Sequence, residues 1–414
     1  MSSLQPVRGT HDILPDEIRR HRHICETGRR VAELYGYREI ATPIFEFSEV
    51  FTRTLGDASD IVTKEMYAFA DRGGDEITLR PEGTAGVARA LVSGGLHQHL
   101  PLKFFYQGPM FRYERPQKGR LRQFHQIGVE LLGVEEPLGD VEIIALGAQV
   151  LSELGLLRMA TLELNSIGDA ESRAAYRQTL VGYLQDRRLE LSKDSQTRLD
   201  RNPLRVLDSK DANDRKILKD APLLPEYLNA KSAEMFAAVR AGLDDLKIAY
   251  TLNPRLVRGL DYYCHTAFEF TSEALGAQSA VLAGGRYDGL VAAMGGPATP
   301  GIGWAAGVDR MAMMLETVPP TPRPIAIVPV SGNVEKAALH LTQELRAAGF
   351  IVELGYRGNL SKRLKRADKL SARAAILLGE EEIAKGSVTL RNLDSGKQEV
   401  VSLEALQDRL AVFR

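Results

Sequence analysis

Within residues 123–134, Ile127, Val129 and Leu131 alternate with Gln126, Gly128 and Glu130. Side chains two apart share a face, so this is the pattern of a strand with one apolar face and one that presents an amide and a carboxylate. The polar face is either wetted by solvent or turned toward a ligand, and these residues alone leave both readings open. Further extended segments, rich in β-formers, are read at 38–47, 77–80, 102–114, 257–270 and 279–284, and an amphipathic helix from about Asp16 to Tyr35. Residues 170–250 break the pattern. They are charged, poor in Val and Ile, and read as helices joined at Asn202-Pro203 and Ala221-Pro222, so they predict a helical insertion in a sheet domain.

The stretch Pro319-Pro320-Thr321-Pro322-Arg323-Pro324 cannot continue a helix and lacks donors for a central strand. A domain boundary is therefore expected there, with 1–322 and 323–414 as the two domains. Beyond it, strands at 325–330, 350–354 and 374–378 alternate with helices at 334–348 and 360–370, predicting a small α/β domain. On the second of these helices Lys362, Lys365, Arg366 and Lys369 form a basic stripe opposite Leu360, Leu364 and Ala367. Arg357, Arg363 and Arg373 flank it, and Asp368 is the only acid from 357 to 373. Either a solvated face or a local nucleic-acid surface would read this way.

Charge sharpens the division. The whole chain of 414 residues carries 53 basic and 54 acidic side chains, too balanced for bulk attraction to a polyanion. Residues 323–414 hold 15 Lys and Arg against 11 Asp and Glu, leaving 38 against 43 for residues 1–322, so the balance is +4 and -5. Two cysteines far apart, Cys25 and Cys264, argue against a disulfide framework and for a reducing compartment. With no basic and apolar leader and no apolar run of about 18 residues, a soluble cytoplasmic protein is expected, with no membrane partner.

Several segments concentrate chemistry. Arg112 and Glu114 lead into Arg115-Pro116-Gln117-Lys118-Gly119-Arg120-Leu121-Arg122, a connection with four cations and no acid, read as solvated charge or a phosphate contact. Leu79-Arg80-Pro81-Glu82-Gly83-Thr84 takes a strand into a helix whose first N–H groups are free for a cap or a ligand. Arg258, Asp261, Tyr262 and Tyr263 group a cation, an acid and two phenols. Gly284–Gly289 and Gly301–Arg310 are glycine-rich, either for turns or for close approach of backbone to ligand. Without a G-x-x-x-x-G-K-[ST] loop, a nucleotide would have to be held by arginines.

In order along the chain, these segments resemble the histidyl-tRNA synthetase family of class II aminoacyl-tRNA synthetases. The opening Arg8-Gly9-Thr10-His11-Asp12, a motif-1-like stretch from Glu39 to Glu46, D-I-V-T-K-E-M-Y at 60–67, motif 2 from Phe111 to Gln126, motif 3 at 301–310, and the histidine-type signatures at 258–263 and 284–288 carry it. The resemblance implies an α+β catalytic domain with a six-stranded antiparallel sheet flanked by helices, the helical insertion, a C-terminal α/β anticodon-binding domain, and a homodimer built on motif 1. It implies activation of L-histidine with ATP and Mg²⁺, whose ligands are not identified, and transfer to tRNA(His). Arg258 and Arg112 are then the catalytic residues, at the α-phosphate and substrate carboxylate. Glu82, Thr84 and Gln126 would take the α-ammonium group. Glu130 and Tyr263, with Tyr262, would line the imidazole site. Glu114, Phe124 and Arg310 would join Arg112 on ATP, and Arg115, Gln117, Lys118, Arg120 and Arg122 the acceptor end of tRNA. The stripe Lys362, Lys365, Arg366 and Lys369 would meet tRNA in the terminal domain. Two departures stand out: Asp309 where the class usually has Glu, and Cys264-His265 after the tyrosine pair. The same core also resembles a non-catalytic, histidine-sensing regulatory paralogue of ATP phosphoribosyltransferase, the alternative reading.

Overall fold

A computed structural model describes residues 4–56, 59–257, 260, 262–276 and 280–413. The chain divides into two compact bodies, Met1–Pro319 and Pro320–Arg414.

The first body is built on an eight-stranded mixed sheet. Its six inner strands run antiparallel in the order Leu102–Phe111, Gln123–Leu132, Gly301–Gly307, Ala280–Arg286, Cys264–Thr271 and Thr161–Ser166. Arg38–Glu39 and Thr251–Leu252 add short parallel strands at the two edges. The antiparallel reading thus holds for the interior, and the edges make the sheet mixed. The strand expected from residue 257 begins only at Cys264, and Thr161–Ser166 was not foreseen.

Both faces of the sheet are covered. Ile127, Val129 and Leu131 join Phe105, Phe268 and Phe270 in one core, against helices Pro15–Leu34 and Pro137–Glu153. Their alternating neighbours face a second core with Tyr106, Met110, Leu132, Ala267 and Tyr287, under helix Thr84–Ser93. The polar face of the Gln123–Leu132 strand is therefore sealed at Glu130, which is 0% exposed, while Phe124 and Gln126 on the same face are only partly buried.

The charged segment 170–250 is helical but not a separate body. Its first helix, Ala170–Gln185, buries Tyr176, Leu180 and Leu184 in the second core. Its last, Ala230–Asp245, sends Val239 and Leu243 to the first core, packing on Pro137–Glu153. Local caps shape it: Asp169 accepts from the Ser172 N–H, and the Asp214 carboxylate gathers the hydroxyls of Ser192, Ser195 and Ser209.

The ion pair of Arg286 with Asp140 is fully buried. Arg286 also donates to the Val134 carbonyl at 2.8 Å and to Asp288 at 3.3 Å, tying the sheet to helix Pro137–Glu153. Its place at the end of a glycine-rich stretch has a scaffold role.

The second body carries a five-stranded sheet, Val352–Leu354, Ile325–Pro329, Ala374–Leu378, Ser387–Asn392 and Gln398–Ser402. The first three are parallel and match the expected strands; the last two, antiparallel, were not expected. Among the described residues no helix is long and apolar enough to cross a membrane.

Removing one charge of the buried pair strands the other. Asp140→Ala is expected to cost about 3–5 kcal/mol, and Asp140→Leu combined with Arg286→Leu to recover a good part of it. Thermal and urea unfolding of the full chain reads this, and an equal loss in both variants would refute it.

Candidate active site

Two short helices and the ends of four strands enclose a cleft of about 290 Å³ in the first body. Strand Leu102–Phe111 runs out into Arg112 and Glu114, strand Gln123–Leu132 brings Phe124 and Gln126, and helix Val308–Met314 brings Arg310. Glu82 and Thr84 enter from the start of helix Thr84–Ser93, Tyr262 and Tyr263 from the approach to strand Cys264–Thr271.

One end of the cleft is cationic. Arg112 stands over the Phe124 ring, 5.2 Å from its centroid, and donates through Nε to the Pro81 carbonyl at 2.9 Å. Arg310 is oriented by two backbone carbonyls, Gly119 at 3.1 Å and Ala280 at 2.8 Å. Burial, then the like charges of Arg112 and Arg120, push the Arg310 guanidinium below its ordinary value. A protein that buries cations together relieves the strain by binding an anion there. Glu114 tempers it, ion-paired to Arg120 and 4.0 Å from Arg112.

The other end has a buried polar floor. Glu130 accepts from the Thr84 hydroxyl at 2.7 Å and from the Tyr287 hydroxyl. Burial pushes its carboxyl up to about 8, although these hydrogen bonds oppose the rise. Gly303 pairs with Glu130 across the sheet, and a Cβ there would collide with the carboxylate. Gly128 and Gly83 likewise leave room for the Tyr106 ring. The glycines at 284–285 and 301–303 thus lie inside strands, not in turns, and there admit large side chains or close approach of neighbouring backbone. Above the floor, the Gln126 Oε1 is buried with no hydrogen-bond partner among the described residues.

Most of the expected site residues share this cleft: Glu82, Thr84, Arg112, Glu114, Phe124, Gln126, Tyr262, Tyr263 and Arg310 line it, and Glu130 sits beneath Thr84. Glu82 differs from expectation in its bonding, because its carboxylate accepts the backbone N–H groups of Thr84 and Ala85 at 2.8 and 2.7 Å and so caps the helix. Arg258 lies outside the described residues. In the 115–122 connection Arg115, Gln117 and Lys118 are exposed, but Arg120 pairs with Glu114, and Arg122 stacks 3.8 Å over the Tyr113 ring. Tyr287, Tyr106 and Glu269 are site groups that sequence reasoning passed over. For Tyr287 the signal was available in the stretch 284–288; for Tyr106 and Glu269 it was not, since each is one residue of an ordinary strand pattern.

In the second body Lys362, Lys365, Arg366 and Lys369 are exposed on helix Leu360–Lys369. Arg366 pairs with Glu353 at 2.6 Å. Arg363 is turned inward, donating to the Pro329 carbonyl and to Glu335, and is no part of the surface stripe. Tyr356, 66% exposed, borders a depression it shares with Arg357, Lys362 and Arg366.

Residues 9–311 match the family model for histidyl-tRNA synthetase, and residues 324–412 that for an anticodon binding domain. The chain is 60% identical to the histidine–tRNA ligase of Rhodospirillum rubrum over 414 residues, all of both chains. It is 56% identical to that of Gluconacetobacter diazotrophicus over 99% of each. Among solved structures, apo histidyl-tRNA synthetase of S. aureus superposes with a TM-score of 0.82 at 34% identity, covering 98% of this chain and 99% of that one.

The raised carboxyl of Glu130 has a signed consequence for stability. Between its ordinary value and about 8 the folded chain holds a proton that the unfolded chain has released, so this group's contribution falls as pH rises through that window. Glu130→Gln removes the linkage. Its thermal midpoint should fall less steeply than that of the parent from pH 5 to 8, and parallel curves would show that Glu130 titrates normally.

Proposed function

The chain belongs to the histidyl-tRNA synthetase family, and from that premise we propose that it joins L-histidine to ATP, releasing pyrophosphate, and transfers the histidyl group to the 3′ end of tRNA(His). It is an ATP-dependent aminoacyl-tRNA ligase; the full-length identity to ligases does not favour the regulatory paralogue. The observation that carries the residue assignments is the polarity of one cleft, with three arginines crowded at one end and an orphaned amide oxygen above a buried carboxylate at the other.

Activation needs no general base, because the histidine carboxylate is ionised at neutral pH. It needs two anions brought together in line, which is work for fixed positive charge. Arg112 contacts the α-phosphate and the carboxylate from one side, and Arg258, on family resemblance, from the other. Arg310 holds the γ-phosphate, the adenine stacks on Phe124, and Glu114 accepts from its amino group. The Gln126 carbonyl, with Thr84 and Glu82, receives the α-ammonium; an unpaired buried acceptor supports this role. Glu130 and Tyr263, beside Tyr262, bracket the imidazole, whose one donor and one acceptor nitrogen they satisfy. Glu269 on the cleft wall offers hard oxygen donors suited to Mg²⁺, which would neutralise phosphate charge there.

Arg115, Gln117, Lys118, Arg120 and Arg122 meet the acceptor end, and the stripe Lys362, Lys365, Arg366 and Lys369 meets the anticodon region. Tyr356 beside the stripe supports this, offering a face on which a base can stack. The homodimer is supported by apolar side chains left exposed in and just after the motif-1-like segment, Ile44 and Phe45 within it and Phe47 beyond its end. Two unpaired cysteines fit a cytoplasmic enzyme.

Exchange of labelled pyrophosphate into ATP should appear with histidine and with none of the other nineteen amino acids. Arg112→Ala and Arg258→Ala should each lower it by about 10²-fold or more; full activity in either removes that residue from the mechanism. Alanine at Lys362, Lys365, Arg366 and Lys369 together should reduce the slope of log affinity for tRNA against log salt by up to about 3. An unchanged slope would exclude the stripe from the interface.

A further inference from the structure

Beside the cleft, three side chains from three separate elements meet without a part in the reaction. His21 comes from helix Pro15–Leu34, His125 from strand Gln123–Leu132, and Asp309 from the first turn of helix Val308–Met314. One donor atom of each lies within 4.8 Å of the other two. Asp309 Oδ1 is 3.9 Å from His21 Nε2 and 3.8 Å from His125 Nδ1. Its other oxygen accepts the backbone N–H of His125 at 2.6 Å, which fixes the carboxylate in place.

His21 is 3% exposed, yet neither of its ring nitrogens has a hydrogen-bond partner among the described residues, nor does Nδ1 of His125. Buried polar atoms are nearly always bonded, and a buried imidazole normally bonds through at least one nitrogen. Here the two rings meet edge to face, 5.3 Å between centroids, with their unbonded nitrogens near one carboxylate oxygen.

We propose that His21, His125 and Asp309 form a binding site for one divalent transition-metal ion of the zinc type, separate from the magnesium that accompanies the triphosphate. Two imidazoles and a carboxylate suit Zn²⁺, Co²⁺ or Ni²⁺, whereas Mg²⁺ prefers oxygen donors and keeps its waters. Tetrahedral donors at 2.0–2.1 Å from zinc stand about 3.3 Å apart, so the edges of 3.8 and 3.9 Å have to close by about half an ångström. Asp309 lines the cleft, and the metal's fourth position would be open to a water or an added anion. The bound ion would clamp the N-terminal helix and the helix bearing Arg310 to the strand bearing Phe124 and Gln126.

A second cluster, Cys264, His265 and Asp288, serves as the control: His265 Nδ1 is likewise unbonded among the described residues, but the other two donors are engaged, Cys264 Sγ accepting the Asp288 N–H at 3.4 Å. Asp288 Oδ1 accepts from Arg286 at 3.3 Å and from the Gly301 N–H at 3.2 Å. Burial pushes the Cys264 thiol up to about 12, away from the thiolate a metal needs.

The test is titration of chelator-treated full-length protein with Co²⁺, read by its visible d–d absorption and by competition with Zn²⁺. One equivalent should bind, with Zn²⁺ displacing it and raising the thermal midpoint. His21→Phe, which keeps a ring in the core, and Asp309→Asn should each weaken binding by about tenfold or more. Cys264→Ser should bind as the parent does. The midpoint of each variant without metal reports folding separately, so either ligand variant suffices if the other fails to fold. Absence of the cobalt spectrum, parent affinity in the ligand variants, or loss of binding in Cys264→Ser would each overturn the proposal.

Discussion

A carboxylate in the middle of the main sheet, wholly cut off from solvent, is the constraint on which the site is built. Burying Glu130 is expensive, and the chain meets the cost with hydroxyls from two other elements, Thr84 at a helix start and Tyr287 beyond the end of a strand. The backbone must cooperate as well. Gly303 has no Cβ where the carboxylate leans across, and Gly128 none where Tyr106 lies. Under the proposed function that expense serves recognition: a ligand of similar size without a matching donor or acceptor would leave buried atoms unpaired, which gives larger discrimination than apolar contact does.

The same strand sets the distance between the two ends of the cleft. Phe124, Gln126 and Glu130 point to one side of Gln123–Leu132, and at about 3.3 Å per residue they span about 20 Å, a planar ring at one end and a carboxylate at the other. An adenylate of an amino acid is elongated in the same order: base, phosphate, then side chain. The antiparallel neighbours hold this ruler straight on both sides, and both faces of the sheet are packed, so the spacing cannot adjust to a shorter ligand.

Much of this was legible in the sequence where periodicity and chemistry coincide. The alternation around Gln126 and Glu130, the proline-rich junction and the 3.6-residue stripe of the terminal domain each follow from a short window of residues. What the windows lacked was the cover on each surface. The polar face of Gln123–Leu132 reads equally as wetted, because the helix that closes it, Thr84–Ser93, belongs to a distant segment. Arg363 is spaced like a surface cation and is drawn inward by the Pro329 carbonyl and Glu335, and Arg122 is drawn in by Tyr113; neither partner lies on the same local element. The edge strands Arg38–Glu39 and Thr251–Leu252 are two residues long, below the length at which alternation exists at all.

Asp309 shows how a one-residue departure from a family pattern can be absorbed. Where the class usually carries the longer acid, the shorter one here reaches the backbone N–H of His125 at 2.6 Å and joins helix Val308–Met314 directly to the strand that holds Phe124 and Gln126. Arg310, the next residue, inherits that anchorage and adds its own bonds to Gly119 and Ala280. Its charge is therefore aimed before any ligand arrives. In a cleft with Arg112 and Arg120 close by, a mobile arginine would swing away from its like-charged neighbours, and the repulsion would be relieved by movement. Held by two carbonyls and a neighbouring carboxylate, it has no such outlet, and the repulsion remains as attraction for an incoming phosphate.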